Sequence, residues 1–225
     1  KKILFAAWAC QNKNWHTYQM WDSPLRKIFG EVVTFDPQEE VTRAGKEEMN
    51  KKFLETVKRE QPDYIFLWIM LEEFTFDTLR KMRELAPQAK IIDFCGDDDI
   101  KFEDHTLPLF PFIDYFLLTQ PQYFKYYQNA KKKFYFMCGA NTEEFYPIKT
   151  EKKYDISFVG TPKGDRVEIM RFLLGKGFKI RICGAGWEKY PEFKEMYGGK
   201  IPSEEFVKLI NETKINICLS KNHFG

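Results

Sequence analysis

The residues best suited to chemistry in this chain stand where apolar runs end. In "DISFVGTPKGDRVEIMRF", from Asp155, an apolar run empties into Gly160, Thr161, Pro162, Lys163 and Gly164 before an amphipathic pattern opens near Asp165. Glycines let main-chain N–H groups approach a ligand closely, a helix start adds positive potential, and arginine grips a phosphate through two parallel bonds. Gly160, Thr161, Lys163 and Arg166 are therefore candidates for holding a phosphate or diphosphate. The pattern is neither G-x-x-x-x-G-K-[ST] nor G-x-G-x-x-G, and a plain strand-to-helix turn with solvated charges has the same spacing. The next apolar run ends in "ICGAGW". There Gly184 and Gly186 would again clear space at a strand exit, and Trp187 is either a platform for a base or sugar or a core aromatic.

The densest acidic cluster, "IIDFCGDDDIKFEDH", also follows an apolar run directly. Like charges this close raise one another's proton affinity, which suits proton handling. Asp98 or Asp99 is the preferred general base, against a solvated loop in which Asp97 caps the next segment. Asp97-x-Asp99 also satisfies the D-x-D pattern that holds a divalent metal on a diphosphate, although such short acidic patterns are common. His16 competes as the base, in "CQNKNWHTYQMW" with Trp15, Tyr18 and Trp21; this stretch is either a sugar-contacting loop or the start of a half-buried helix. His105 reads as a surface residue. Lys221 and His223, in the terminal "SKNHFG", follow a strand and are candidate ligand contacts.

Positioning these groups requires alternating strands and helices. Strands are predicted at "KILFAAW", "EVVTF", "YIFLWIM", "KIIDF", "DYFLLT", "FYFMC", "DISFVG", "FKIRIC" and "INICLS", with "GGKI" as a further candidate. Continuous apolar runs suit parallel strands covered on both faces. Met49, Phe53 and Val57, then Leu79, Met82 and Leu85, then Phe206, Leu209 and Ile210 mark amphipathic helices between them. Ser23-Pro24 and Ser203-Glu204-Glu205 read as helix starts. The result is an α/β fold of two Rossmann-like doubly wound domains, 1–145 and 146–225, joined through the polar stretch "NTEEFYPIKTEKKYD". The second is read as incomplete, since such a domain normally continues for several more elements.

Composition narrows the function. Across 225 residues, 44% apolar and 17% aromatic, the formal charge is only +2, which argues against a dedicated nucleic-acid binder. No run approaches the roughly 20 apolar residues of a membrane span, and no signal-peptide pattern opens the chain, so the expectation is a cytoplasmic protein. "YFKYYQNAKKKFYF" is read as a surface helix entering a strand, compatible with peripheral membrane contact. The five cysteines form no C-x-x-C pair, which speaks against a metal cluster and for small buried hydrophobes.

"YDISFVGTPKGDRVEIMRFLLGKGFKIRICGAGW" with "GGKIPSEEFVKLINETKINICLS" resembles the nucleotide-binding half of the CgeB-like (spore maturation) glycosyltransferases, relatives of the group 1 glycosyltransferases with the GT-B fold. "PDYIFLW", "GDDD" and the crossover "CGANTEEFYP" extend the resemblance more loosely into the first half. It implies a two-lobed, metal-independent hexosyltransferase-like enzyme. The second lobe would hold a UDP- or GDP-type sugar and the first a glycan, lipid or protein acceptor, with no cofactor required. By motif, Gly160, Thr161 and Arg166 would lie near the diphosphate and Gly184 and Gly186 near the nucleoside; Lys163 has no firm counterpart. The chain departs from the family in ending before its arginine-and-glutamate donor segment. The alternative is a non-catalytic GT-B-like module that binds a glycan or a protein.

Overall fold

A computed structural model describes residues 1–13, 17–69, 73–137 and 139–219. The chain divides into two compact units, Lys1–Ala140 and Asn141–Gly225. The division falls at the head of the polar stretch that precedes Asp155.

The first unit is built on a six-stranded parallel sheet in the order β2-β1-β3-β4-β5-β6. Its strands are β1 (Lys2–Ala7), β2 (Glu31–Phe35), β3 (Tyr64–Trp68), β4 (Lys90–Cys95), β5 (Tyr115–Leu118) and β6 (Lys133–Tyr135). The strand pattern is continuous rather than alternating because both faces are covered. Leu4, Ala6, Ile65, Leu67, Ile91 and Cys95 enter one core with Met49, Phe53, Val57, Leu79 and Met82. Ile3, Phe5, Ala7, Phe66 and Phe94 enter the other with Trp21 and Leu25. Each such fully buried large side chain contributes roughly 1.5–3 kcal/mol. Asp93, between Ile91 and Cys95 on β4, falls by this alternation on the first face.

Helices α1 (Ser23–Ile28), α2 (Pro37–Glu60) and α3 (Phe76–Leu85) cover those faces. Two helix starts differ from expectation. Asp22, not Ser23, precedes α1 at its cap, and a π-helical turn, Tyr18–Asp22, leads into it. The well-made cap is Asp36, whose Oδ1 accepts from the amides of Gln38 and Glu39 at 3.0 and 3.1 Å. α2 is broken at Gly45, whose φ of 85° is open to glycine and unfavourable for other residues. A four-residue turn, α4 (Asp98–Lys101), follows β4. The stretch expected as a surface helix is instead a 3₁₀ turn, Pro121–Tyr126, followed by β6, because Tyr127 is drawn wholly into the core.

The second unit has a three-stranded parallel sheet, β8-β7-β9, of β7 (Tyr154–Val159), β8 (Ile180–Cys183) and β9 (Thr213–Ile217). α5 (Arg166–Gly175) joins β7 to β8, and α6 (Ser203–Asn211) leads into β9. Pro202 rather than Ser203 occupies the cap of α6. "GGKI" is not a strand; Tyr197 just before it makes a single bridge to Ile182. Since β8 and β9 flank β7 on opposite sides, the winding reverses at β7, and the crevice at its carboxyl end is where ligands of open α/β sheets collect. Among the described residues, no helix is long and apolar enough to cross a membrane.

Candidate functional site

The turn after β7 sits at that reversal, and Arg166 spans it. Its Nη1 donates to the Thr161 carbonyl at 3.0 Å and its Nη2 to the Leu219 carbonyl at 2.5 Å, tying the exit of β7 to the exit of β9. Its guanidinium lies over the Phe158 ring at 5.5 Å, and among the described residues its buried Nε has no acceptor. Arg166 is thus held by main-chain carbonyls and, among the described residues, makes no ion pair. Beside it, Lys163 is exposed, Gly164 takes φ 60°, and no side chain caps α5 at Asp165. The Arg166 amide donates to the Lys163 carbonyl at 3.4 Å, while the next amides of α5 have no side-chain cap, and Glu168 stands in the first turn. Arg166→Lys, which keeps the charge but loses the fork, is expected to destabilise the second unit by about 2 kcal/mol. Hydrogen exchange across β7 and β9 measures this; unchanged protection would show that the bridge is slack.

The second glycine turn packs against the first. Gly184, at φ 123°, would place a Cβ 2.3 Å from the Gly160 carbonyl oxygen; Gly186, at φ 98°, would place one 3.0 Å from the Pro162 ring. Trp187 is 1% exposed and donates from Nε1 to the Gly160 carbonyl at 2.7 Å. These observations correct the reading of "ICGAGW" as cleared space. The room opened by Gly184 and Gly186 is filled by the neighbouring turn, and Trp187 is a core post with no face for a base. The amides are also committed: Gly160 donates to Cys183, Lys163 to Thr161, Gly184 to Gly199, and Gly186 to Glu188 Oε2. What faces outward is the segment from Lys163 to the head of α5.

In the first unit the acidic cluster separates into distinct environments. Asp97 is exposed, 3.8 Å from Lys101, and makes no side-chain cap. Asp98 is 2% exposed and accepts from Tyr127 Oη at 2.9 Å on both oxygens and from Thr106 Oγ1 at 3.1 Å. Burial raises its proton affinity, while the Tyr127 and Thr106 hydroxyls work against that rise. A base must reach the proton it removes, so Asp98 is corrected from base candidate to buried anchor. Asp99 is half-buried and clasps Gln120, its amide donating to Oε1 at 3.0 Å and its Oδ1 accepting from Nε2 at 2.8 Å. Together with Asp98, Glu103 and Asp104 it lines a recess of about 310 Å³ walled by Phe102, Tyr123 and Tyr126.

Asp93 escaped the sequence reading, although a lone acid inside "KIIDFC" was a visible signal. It is 3% exposed, accepts from Cys95 Sγ at 3.2 Å on Oδ2, and among the described residues has no hydrogen-bond partner for Oδ1. Burial pushes its pKa up to about 7. The cysteines are mostly inert: burial takes the Cys10 thiol up to about 12, and Cys95 and Cys183 are buried too, but Cys218 is exposed. Trp21 is a core residue against Phe66, Phe94 and Phe136. His16, Trp15, Cys138, Lys221 and His223 lie outside the described residues. Among the described residues, no three His, Cys, Asp or Glu side chains are arranged to hold a metal.

No family model matches the chain, and no curated protein does. Among solved structures it is similar to the UDP-GlcNAc 2-epimerase of Methanocaldococcus jannaschii, at 8% identity and a TM-score of 0.55, over 96% of this chain and 78% of that one. It is also similar to the apo form of the lipopolysaccharide outer core galactosyltransferase WaaB, at 14% identity and a TM-score of 0.47, over 96% of this chain and 73% of that one. At such identities a likeness speaks to architecture alone, and the architecture is a GT-B-like fold of two Rossmann-like α/β units with parallel sheets.

Proposed function

We propose that this chain is a glycosyltransferase that takes a sugar from a UDP- or GDP-type donor held by its second unit and passes it to a hydroxyl acceptor. The carrying observation is the β7 turn, where a guanidinium held by main-chain carbonyls, the exposed Lys163 and the start of α5, which has no side-chain cap, meet at the winding reversal. A diphosphate leaving group needs that combination of fixed dipole and cations, which act without reorganising as charge develops. The similarly folded epimerase is named for a nucleotide sugar, UDP-GlcNAc, which supports a donor of that class, and the CgeB-like resemblance of the β7 turn supports transfer. The first unit would supply a glycan, lipid or protein acceptor, with Asp99 or His16 as base and no metal or cofactor. Lys221 and His223 would add donor contacts, and the setting would be cytoplasmic.

Isothermal titration of the chain with UDP, GDP and their sugars is expected to give saturable binding. Lys163→Ala should weaken it about tenfold, the worth of one charge-assisted contact. Absence of binding by every nucleotide would end this reading. The burial of Asp98 favours a second reading, a non-catalytic module, because it removes one of the two carboxylates that suited a base. Nucleotide binding without turnover on glycan, lipid and protein acceptors would select it.

A further inference from the structure

The strand order leaves β6 at one edge of the six-stranded sheet, with no further neighbour among the described residues. Between β5 and β6 the Phe116 amide donates to the Lys132 carbonyl at 2.9 Å, and the Phe136 amide to the Leu118 carbonyl at 2.7 Å. Lys132 and Phe136 thus turn main-chain groups towards β5, and Phe134 between them does the same by alternation. The main-chain groups of Lys133 and Tyr135 then point outward, a row of donors and acceptors open to another strand. The side chains are open too: Phe134 is 50% exposed, Tyr135 51% and Met137 75%. At the opposite edge, β2 carries no exposed large apolar side chain.

Lysines on an edge strand usually ward off pairing. Here all three are drawn back onto the chain that carries them. Lys131 Nζ lies 3.1 Å from Asp114 Oδ1, and Lys132 Nζ stands over the Tyr115 ring at 5.3 Å. Lys133 Nζ donates to the Phe124 carbonyl at 2.9 Å and lies over the Phe124 ring at 4.5 Å. Ammonium groups so engaged disfavour an anionic membrane or a nucleic acid, which would have to draw them off onto phosphates. What projects is aromatic and main-chain surface, and it is complementary to itself. A two-fold axis through Phe134, normal to the sheet, sets two β6 strands antiparallel. Lys133 and Tyr135 of one copy then exchange main-chain bonds with Tyr135 and Lys133 of the other. On one face each lysine stem lies beside a tyrosine ring, and on the other the two Phe134 rings meet.

We propose that β6 is a dimerisation edge, on which a second copy of this chain pairs antiparallel and continues the sheet. This edge belongs to the first unit alone, and pairing there is independent of nucleotide binding by the second. A short strand with few side chains gives an interface at the small end of specific ones, hence a dimer that dissociates at micromolar concentration. Sedimentation equilibrium of the whole chain, from about 5 to about 500 μM, should show monomer passing to dimer. Tyr135→Pro removes an outward amide that β5 does not use, and should weaken the dimer about tenfold. The register is read separately, in a Cys218→Ser background that removes an exposed thiol. There Phe134→Cys puts the new sulfur on the axis, where facing Cα atoms stand about 4.5 Å apart, within the span of a disulfide. Mild oxidation should link these chains in pairs. Lys132→Cys, on the same face but with its two copies about 13 Å apart, should stay unlinked. A chain that remains monomeric throughout, a dimer that Tyr135→Pro leaves intact, or equal linking of the two cysteine variants would each overturn the proposal. So would a monomer that pellets with phosphatidylserine vesicles through this edge, which would give it to a membrane instead.

Discussion

Asp93→Asn is expected to remove most of the first unit's pH dependence between about 4 and 7, where the unaltered Asp93 costs about 4 kcal/mol of stability. The magnitude follows from the rise of the buried carboxyl from 3.8 to about 7, a change of about three tenfold steps worth about 1.4 kcal/mol each. The folded state holds this proton more tightly than the unfolded chain does. Stability is therefore full below 3.8, falls as pH climbs towards 7, and is level beyond. The groups facing Asp93 explain the rise: Cys95 donates to one oxygen and Lys101 lowers its pKa, but neither offsets burial, and the charge of Asp98 adds to it. Asp98, also raised, leaves a residual slope of the same sign in the variant.

Asp114 acts oppositely and in a lower window. Burial pushes it up, but Arg83, the Ile91 amide and Lys131 together hold it at about 2, so its stabilisation is lost only as pH falls below its ordinary 3.8. Because two units make a single unfolding curve ambiguous, exchange of the β4 amides at pH 5, 6, 7 and 8 is the appropriate readout. Asp93→Asn should keep at pH 8 the protection that the unaltered chain shows at pH 5. Parallel pH profiles for the two proteins would mean that Asp93 is hydrated rather than sealed.

Asp93 also marks how far the sequence can be read. The nine strands were legible because parallel strands buried on both faces leave unbroken apolar runs, a signal independent of tertiary detail. Where a run ends was not: "KILFAAW" continues through Trp8, yet β1 stops at Ala7 and Trp8 turns outward to line a recess. Helix starts misled for a related reason. Serine before proline suggested a cap at Ser23 and serine before two glutamates one at Ser203, while the side chain that caps α2 is Asp36, before Pro37 and with Glu39 in its first turn, an equally visible signal. The acidic run was seen as one feature, but burial divides it among Asp97, Asp98 and Asp99. No spacing rule encodes that Tyr127, far along the chain, reaches back to Asp98.

The glycine turns carry the other large expected effect, because their purpose is visible only in three dimensions. Gly184→Ala meets two penalties at once: a φ of 123° that side chains avoid, and a Cβ 2.3 Å from the Gly160 carbonyl oxygen, a main-chain atom that cannot swing aside. Relief requires the two turns to part, breaking the bond from Trp187 Nε1 to that same oxygen and unseating an indole packed against Phe158 and Phe193. A loss of about 3–5 kcal/mol is expected, the range of a disrupted core aromatic. Gly164→Ala is the matched control. Its φ of 60° is also left-handed, but nothing lies within 4 Å of the added carbon, so only about 1–2 kcal/mol of backbone strain is expected. Exchange protection of β7 and β8 should collapse in the first variant and persist in the second, with the first unit's β1 and β3 unaffected in both. Equal losses would show that backbone strain alone governs these turns. The interlock would then not hold the Lys163 segment and the head of α5 in place, and the proposed donor site would have to be rigid for some other reason.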